Sequence, residues 1–296
     1  MKVKVFLASA NHTRFEHALN SFAVGISKYD YVETVQDTKY TDCDCAVFFG
    51  SWKDRDQQHH NLKRDIVSKA PQFVVLETPL LGRGRVEEYM KDSWYRIGLN
   101  GFLNNTGNFN NRNSPGDRWL KISSELNLNF DGWKDCSSKD DPYLVALQLP
   151  GDASLQGANI TEWCYHTVKS LRSYGSRPIV VRTPQLKRQF DIHYWDEMFK
   201  IPEVSLEIGT RENLFTSLRQ SYCTVAYSSG LSIDSVLVGT PTIAGSPANF
   251  AWPITSSLSI LNRPSVYQWL NDLSYCQWNT EEIYEGLPWE HLRKII

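Results

Sequence analysis

The stretch Tyr222–Gly245, YCTVAYSSGLSIDSVLVGTPTIAG, decides how the rest of this chain reads. Cys223–Ala226 leans apolar between polar flanks, as a short buried strand does. Ser228-Ser229-Gly230 then supplies small residues that let the backbone turn tightly and can donate hydrogen bonds to an anion. Leu231, Ile233, Val236, Leu237 and Val238 follow at helical spacing, and Gly239 stands where a left-handed cap ends a helix. Pro241 follows that stop, and Thr242-Ile243-Ala244 reads as the next strand. Strand, small-residue turn, helix and strand make a βαβ unit, with an anion site expected at the helix N-terminus. The plainer reading leaves Ser229 a helix cap and nothing more.

Composition sets the bounds. A chain of 296 residues has room for two domains of roughly 130–150 residues. Hydrophobic content of 41% and charged content of 22% describe an ordinary globular protein. With a net charge of −2 no global field draws phosphate, so a nucleic-acid partner would need a local basic groove. That weighs against a dedicated DNA-binding module and leaves room for an enzyme that visits DNA. The six cysteines, Cys43, Cys45, Cys136, Cys164, Cys223 and Cys276, are scattered without paired metal spacing. Free thiols in a reducing, cytoplasmic setting are the expectation. No signal peptide precedes the first strand, and no apolar run approaches the ~18 residues of a membrane span.

In chain order, Lys2–Ala8 reads as a strand, and the loop after it carries His12. A helix from about Arg14 to Lys28 follows, then strands at Tyr31–Val35, Cys45–Phe49 and Gln72–Leu76, the last ending on Glu77. Strands alternating with helices at this spacing predict a parallel sheet with right-handed crossovers. Loops at the carboxyl ends of such strands line the ligand crevice, so His12 and Glu77 are candidate bases there. Glu77 reads equally as an ion-pair partner of Arg83 or Arg85. The segment 80–118 is long, irregular and rich in Gly, Asn and Arg. Arg83, Arg96, Asn100 and Arg112 are its candidate acceptor contacts, with Trp94, Tyr95, Phe102 and Phe109 interleaved. The alternative is a loop held by asparagine hydrogen bonds.

Lys139–Pro142 marks a domain boundary, and Tyr143–Leu149 opens the second half as a buried strand. Gln148 lies near the end of that strand, and Gly151 and Asp152 occupy the turn behind it, where backbone approaches a phosphate or ribose. A helix over about 160–174 and the strand Ile179–Val181 lead to Arg182, whose guanidinium fork suits a diphosphate. Asp42-Cys43-Asp44 has metal-site spacing but precedes a strand and reads as a turn. The tail from Arg263 reads as helical. The expected divisions are 1–138, 139–270 and a tail of 271–296 packing across the two domains.

The pattern Ser228-Ser229-x(9)-Gly239-Thr240-Pro241-x-Ile243 resembles the donor-binding half of two-domain, GT-B-type glycosyltransferases. With VVLETPLLGR (74–83), YRIGLNGFLN (95–104), LQLPGDASL (147–155), PIVVRTP (178–184) and the tail from 263, the set is similar to bacteriophage-encoded GT-B-type glycosyltransferase-like proteins. The resemblance implies two doubly wound, Rossmann-type α/β domains. A nucleotide sugar, a UDP-sugar in the first instance, is held by Gln148, Gly151, Arg182, Ser228, Ser229 and Gly230 with no obligatory metal. Acceptor deprotonation falls to Glu77, His12 or Asp152. For phage members the implied acceptor is a hydroxylated or hydroxymethylated pyrimidine in DNA, extruded from the duplex and modified in the infected host cell. Related capsule-type transferases have Arg-Pro-His-Pro after the corresponding strand. Here Arg182-Thr183-Pro184-Gln185 lacks the histidine, so its role does not carry over. Three other readings stay open: a transferase acting on a glycan or small molecule, a sugar-nucleotide epimerase, and a nucleotide-binding protein without catalysis.

Overall fold

The computed structural model describes residues 1–53, 56–83, 93–135, 138–184 and 190–296. Arg85, Cys136 and Gln185, named above, lie outside them. The chain divides into two units, one of Met1–Lys121 with Leu270–Ile296, the other of Ile122–Trp269.

In the first unit, β1 (Lys2–Phe6), β2 (Tyr31–Val35), β3 (Cys45–Phe49) and β4 (Gln72–Glu77) run parallel. Two further strands, β5 (Trp94–Leu99) and β11 (Gln277–Asn279), complete a sheet ordered β11-β5-β4-β3-β1-β2. Helix α1 (Thr13–Ser27) buries Leu19, Phe22 and Ile26 against Val3, Val5 and Val47, and α2 (Gln58–Lys69) buries Leu62 and Ile66. Strand β3 is wholly buried and β4 is buried except at its half-buried ends, so their apolar runs are what a sheet covered on both faces demands.

Two features depart from the sequence reading. The segment 80–118 contains β5, antiparallel to β4 and buried along its length. Arg96 and Gly98 interrupt its apolar run, which hid the strand. A side chain at Gly98 would lie 2.4 Å from the Gly101 carbonyl, so only glycine fits. The neighbouring asparagines have a conformational role: Asn100, Asn110 and Asn113 all take positive φ, which asparagine tolerates better than most residues. Asn110 and Asn111 also donate to the carbonyls of His291 and Asp272 at 2.9 and 3.0 Å.

The tail, read as helical, also contributes strand β11. It continues through α9 (Thr280–Glu285) and α10 (Leu287–Leu292), which places Trp289 wholly inside the first unit's core. The anchor is Arg118, in α3 (Asp117–Glu125), whose guanidinium meets Glu282 with both nitrogens at 2.9 and 3.1 Å. The same group donates to the Gln277 and Ser274 carbonyls and lies 3.7 Å over the Trp278 ring. Each of the three guanidinium nitrogens thus has at least one acceptor.

The second unit has an all-parallel sheet ordered β10-β9-β6-β7-β8. Its strands are β6 (Tyr143–Ala146), β7 (Ile179–Thr183), β8 (Val204–Ile208), β9 (Cys223–Ala226) and β10 (Thr242–Ala244). The crossovers include α4 (Ile160–Tyr174), α5 (Ile192–Met198), α6 (Arg211–Gln220) and α7 (Leu231–Leu237). Gly239 ends α7 at φ +77, as expected, and a side chain there would also strike the Gly132 carbonyl at 1.9 Å. Helix α8 (Tyr267–Ser274) precedes β11. The cysteines Cys43, Cys45, Cys164, Cys223 and Cys276 are buried free thiols.

Burial alone would raise the Glu282 carboxyl, but the Arg118 and Lys121 partners outweigh it and hold it below its ordinary range. Its contribution is therefore complete above the ordinary carboxylate range and is lost as pH falls through the lowered value. Glu282→Gln should cost on the order of 3 kcal/mol in urea unfolding at neutral pH. That difference should shrink as pH falls below the ordinary carboxylate range and the wild-type carboxylate is itself protonated.

Candidate active site at the strand ends

In the second unit the first strand, β6, sits in the middle of the sheet. The chain builds β7 and β8 on one side of it, then crosses to build β9 and β10 on the other. Loops leaving β6 and β9 therefore part in opposite directions and open a crevice at their carboxyl ends. The ends are level, because Ala146 pairs with both Arg182 and Ala226.

Gln148 and Ser228 meet across this crevice. The Gln148 side-chain oxygen accepts from the Ser228 amide at 3.0 Å and from its hydroxyl at 3.2 Å. The Gln148 side-chain NH2 donates to the Ser154 hydroxyl at 2.7 Å, and the Ser154 carbonyl lies 2.7 Å from the Ser228 hydroxyl. Asp152 closes the set, accepting from the Ser154 amide and hydroxyl at 2.9 and 2.8 Å. Three residues chosen from sequence, Gln148, Asp152 and Ser228, thus share one network. Gly151 takes φ +73 in the same turn, with open space where a side chain would stand.

Ser229 accepts from the Leu231 amide at 3.2 Å, the geometry of a helix cap. Gly230 is the residue before α7 and faces open space. Ser154, which binds three members of the network, was missed. Its signal was the spacing Asp152-x-Ser154, a side chain accepting from the amide two residues on.

Beside the crevice lies a cavity of about 530 Å³ lined by Leu147, Arg182, Thr183, Thr210, Arg211 and Leu231, among others. Arg182 is buried, and its guanidinium already has protein partners. It pairs with Glu207, donates to the Thr210 carbonyl at 2.6 Å and approaches the Ser217 hydroxyl at 3.3 Å. Burial pulls its pKa below the ordinary arginine value. A side chain at Gly209 would come within 3.2 Å of this guanidinium, so the glycine makes the passage possible. Thr210 and Asn213 cap α6 reciprocally, fixing the carbonyl that Arg182 uses. Neither Glu207 nor the Thr210 box was singled out from sequence, although T-x-x-N before a helix carries that signal.

In the first unit Glu77 ends β4 at the carboxyl edge. Its two oxygens accept from the Ser51 amide at 3.0 Å and the Thr78 amide at 2.9 Å. Arg96 lies directly opposite Glu77 on β5, on the same sheet face. His12 caps α1, its Nδ1 accepting from the Arg14 amide at 3.3 Å.

The four acceptor-side candidates differ in burial. Arg96 is buried within β5, 5.7 Å from the Phe102 ring, while Arg83 and Arg112 are exposed. Asn100 binds both backbone groups of Phe73, at 2.7 and 3.0 Å. Because β5 runs antiparallel, this puts Asn100 at the sheet edge where β4 begins, opposite the Glu77 edge. Among the described residues no group of three or more His, Cys, Asp or Glu side chains is placed to hold a metal ion. None of the described helices is long and apolar enough to cross a membrane.

No family model matches the chain, and no curated protein matches it. Solved structures do. One is the β-Kdo 2,4 transferase of KpsC from Thermosulfurimonas dismutans, with a TM-score of 0.54 at 13% identity, over 97% of this chain and 98% of that one. Another is the β-Kdo 2,7 transferase of the same protein, with a TM-score of 0.52 at 10% identity, over 98% and 100%. The likeness is one of fold and runs the full length of both chains. It agrees with a two-unit, Rossmann-like α/β architecture.

Glu207→Ala would leave the Arg182 charge buried without its carboxylate, which should cost about 3 kcal/mol. Thermal unfolding should show the loss, and the double variant Glu207→Ala/Arg182→Met should recover part of it.

Proposed function

We propose that the chain is a glycosyltransferase that moves a sugar from a nucleotide-sugar donor to a hydroxyl of a glycan. The observation that carries the reading is the Gln148–Ser228–Ser154 network at the switch point beside the Arg182 cavity. Open α/β sheets take ligands at that place. Fold-level likeness to two sugar transferases raises the same reading and favours a glycan acceptor. The DNA-pyrimidine acceptor and a phage origin draw no support from those neighbours.

In the reaction the bond from the anomeric carbon to the donor phosphate breaks and a bond to the acceptor oxygen forms. The nucleotide leaves with the bonding electron pair, and the acceptor proton passes to a base, for which Glu77 is the candidate in the first unit. In the second unit, Gln148 and Ser228 shape the wall against which the nucleotide and its phosphates lie. Arg182, held by Glu207, stabilises the wall and supplies positive charge to the cavity as negative charge develops on the leaving group. The expected donor is a nucleotide sugar, with UDP-sugars tried first.

The test is calorimetry and product analysis with UDP-, GDP-, dTDP- and CMP-linked sugars, each with oligosaccharide or hydroxymethylated DNA acceptors. Binding of one nucleotide class and a sugar-sized mass increment on an oligosaccharide are expected. Gln148→Ala should weaken donor binding about tenfold, since it breaks hydrogen bonds lining a charged ligand. An increment on DNA alone would replace the acceptor assignment. Sugar-nucleotide interconversion without an acceptor would replace the reaction.

A further inference from the structure

Lysine is rarely buried, because its ammonium loses hydration that a protein interior does not return. Lys63, on α2, is nevertheless only 4% exposed. Among the described residues its one hydrogen bond goes to the Ser51 carbonyl, at a long 3.4 Å. The charge lies directly beneath the turn that follows β3. A side chain added at Gly50, which has φ +81, would come within 3.1 Å of the ammonium nitrogen.

That turn also holds Glu77. The Ser51 amide donates to one carboxylate oxygen at 3.0 Å, and the Gly50 amide donates to the Leu76 carbonyl at 2.7 Å. Ser51 is therefore gripped from both ends of its backbone, its carbonyl by the cation and its amide by the anion. Each Glu77 oxygen accepts one backbone N–H, which leaves acceptor capacity on both. The arrangement sits at the carboxyl edge of β3 and β4, where a doubly wound sheet presents its ligand groups.

We propose that Lys63 is a positioning residue for Glu77: its ammonium holds the Gly50–Ser51 turn, and the turn's amide holds the carboxylate in place to take the acceptor proton. The proposal rests on the transferase reading above. Lys63 does not touch the acceptor, and its charge acts through Ser51. Burial lowers its pKa to about 8; Glu77 opposes that fall and Lys53 adds to it. On its own helix, His59 is lowered by burial and by Lys63. The ammonium therefore gives up its proton slightly above neutrality. Its grip on the Ser51 carbonyl, and the charge it offers Glu77, weaken as pH rises through that value.

Two measurements test this. In the pH dependence of kcat, wild type should lose activity, about tenfold, as pH rises through about 8. Lys63→Met should be slower by a similar factor below that pH and lack the alkaline fall, with donor KM unchanged. An unaltered profile in Lys63→Met overturns the proposal. So does a wild-type enzyme without the fall, since a merely structural lysine would lower activity equally at every pH.

The second measurement needs no turnover and no Lys63 variant. NMR titration of selectively labelled lysine should give one ammonium a midpoint near 8, and Glu77→Gln should move that midpoint to lower pH. No movement means that Lys63 and Glu77 are uncoupled, which overturns the proposal. A coupled pair in a protein that transfers no sugar would overturn the transferase reading and leave the coupling standing.

Discussion

The side chain of Gln148 bridges two loops that the sheet sends in opposite directions. A parallel sheet that grows first on one side and then on the other has a gap at the reversal, where backbone amides and carbonyls lack neighbours. Here one amide side chain spans the gap, accepting from Ser228 and donating to Ser154. A primary amide suits this place because it carries an acceptor and donors a short distance apart. The turn after β6, the turn after β9 and the approach to α7 all depend on that bridge. The floor of the candidate donor site follows from it.

The second organising feature is where positive charge is kept. Arg118, Arg182 and Lys63 are all buried, and each is compensated differently. Arg118 has a bidentate carboxylate, two carbonyls and an indole face, and it secures the tail to the first unit. Arg182 has a carboxylate, a carbonyl and a hydroxyl, and it lines a cavity. Lys63 has one distant carbonyl and the field of Glu77, and it lies beneath a loop at the strand ends. Compensation thins from the first to the third, and its thinness marks where a charge serves something beyond the fold.

Much of the fold was legible in the sequence because local patterns coincide with tertiary constraint. CAVFF and YLVA are wholly buried strands, and Gly239 takes the positive φ that its place after a helical stripe requires. What escaped depends on register. Arg96 and Gly98 disguise β5, whose existence follows from pairing with β4 and with three residues of the distant tail. The candidate site divides the same way. Gln148, Asp152 and Ser228 stood next to turns that sequence can show. Arg182 was visible, but its partner Glu207 was not, because parallel pairing of β7 with β8 alone brings them side by side. Lys63 was invisible for the same reason: within α2 it reads as one charge among several, and only packing shows that it is inside.

Hydrogen–deuterium exchange with and without a bound nucleotide sugar tests the central claim most directly. Protection of the segments 147–156 and 227–232, together with 209–212 around the cavity, is the expected result. Binding confirmed by calorimetry, with protection elsewhere and none in these segments, would contradict the placement of the donor at this switch point.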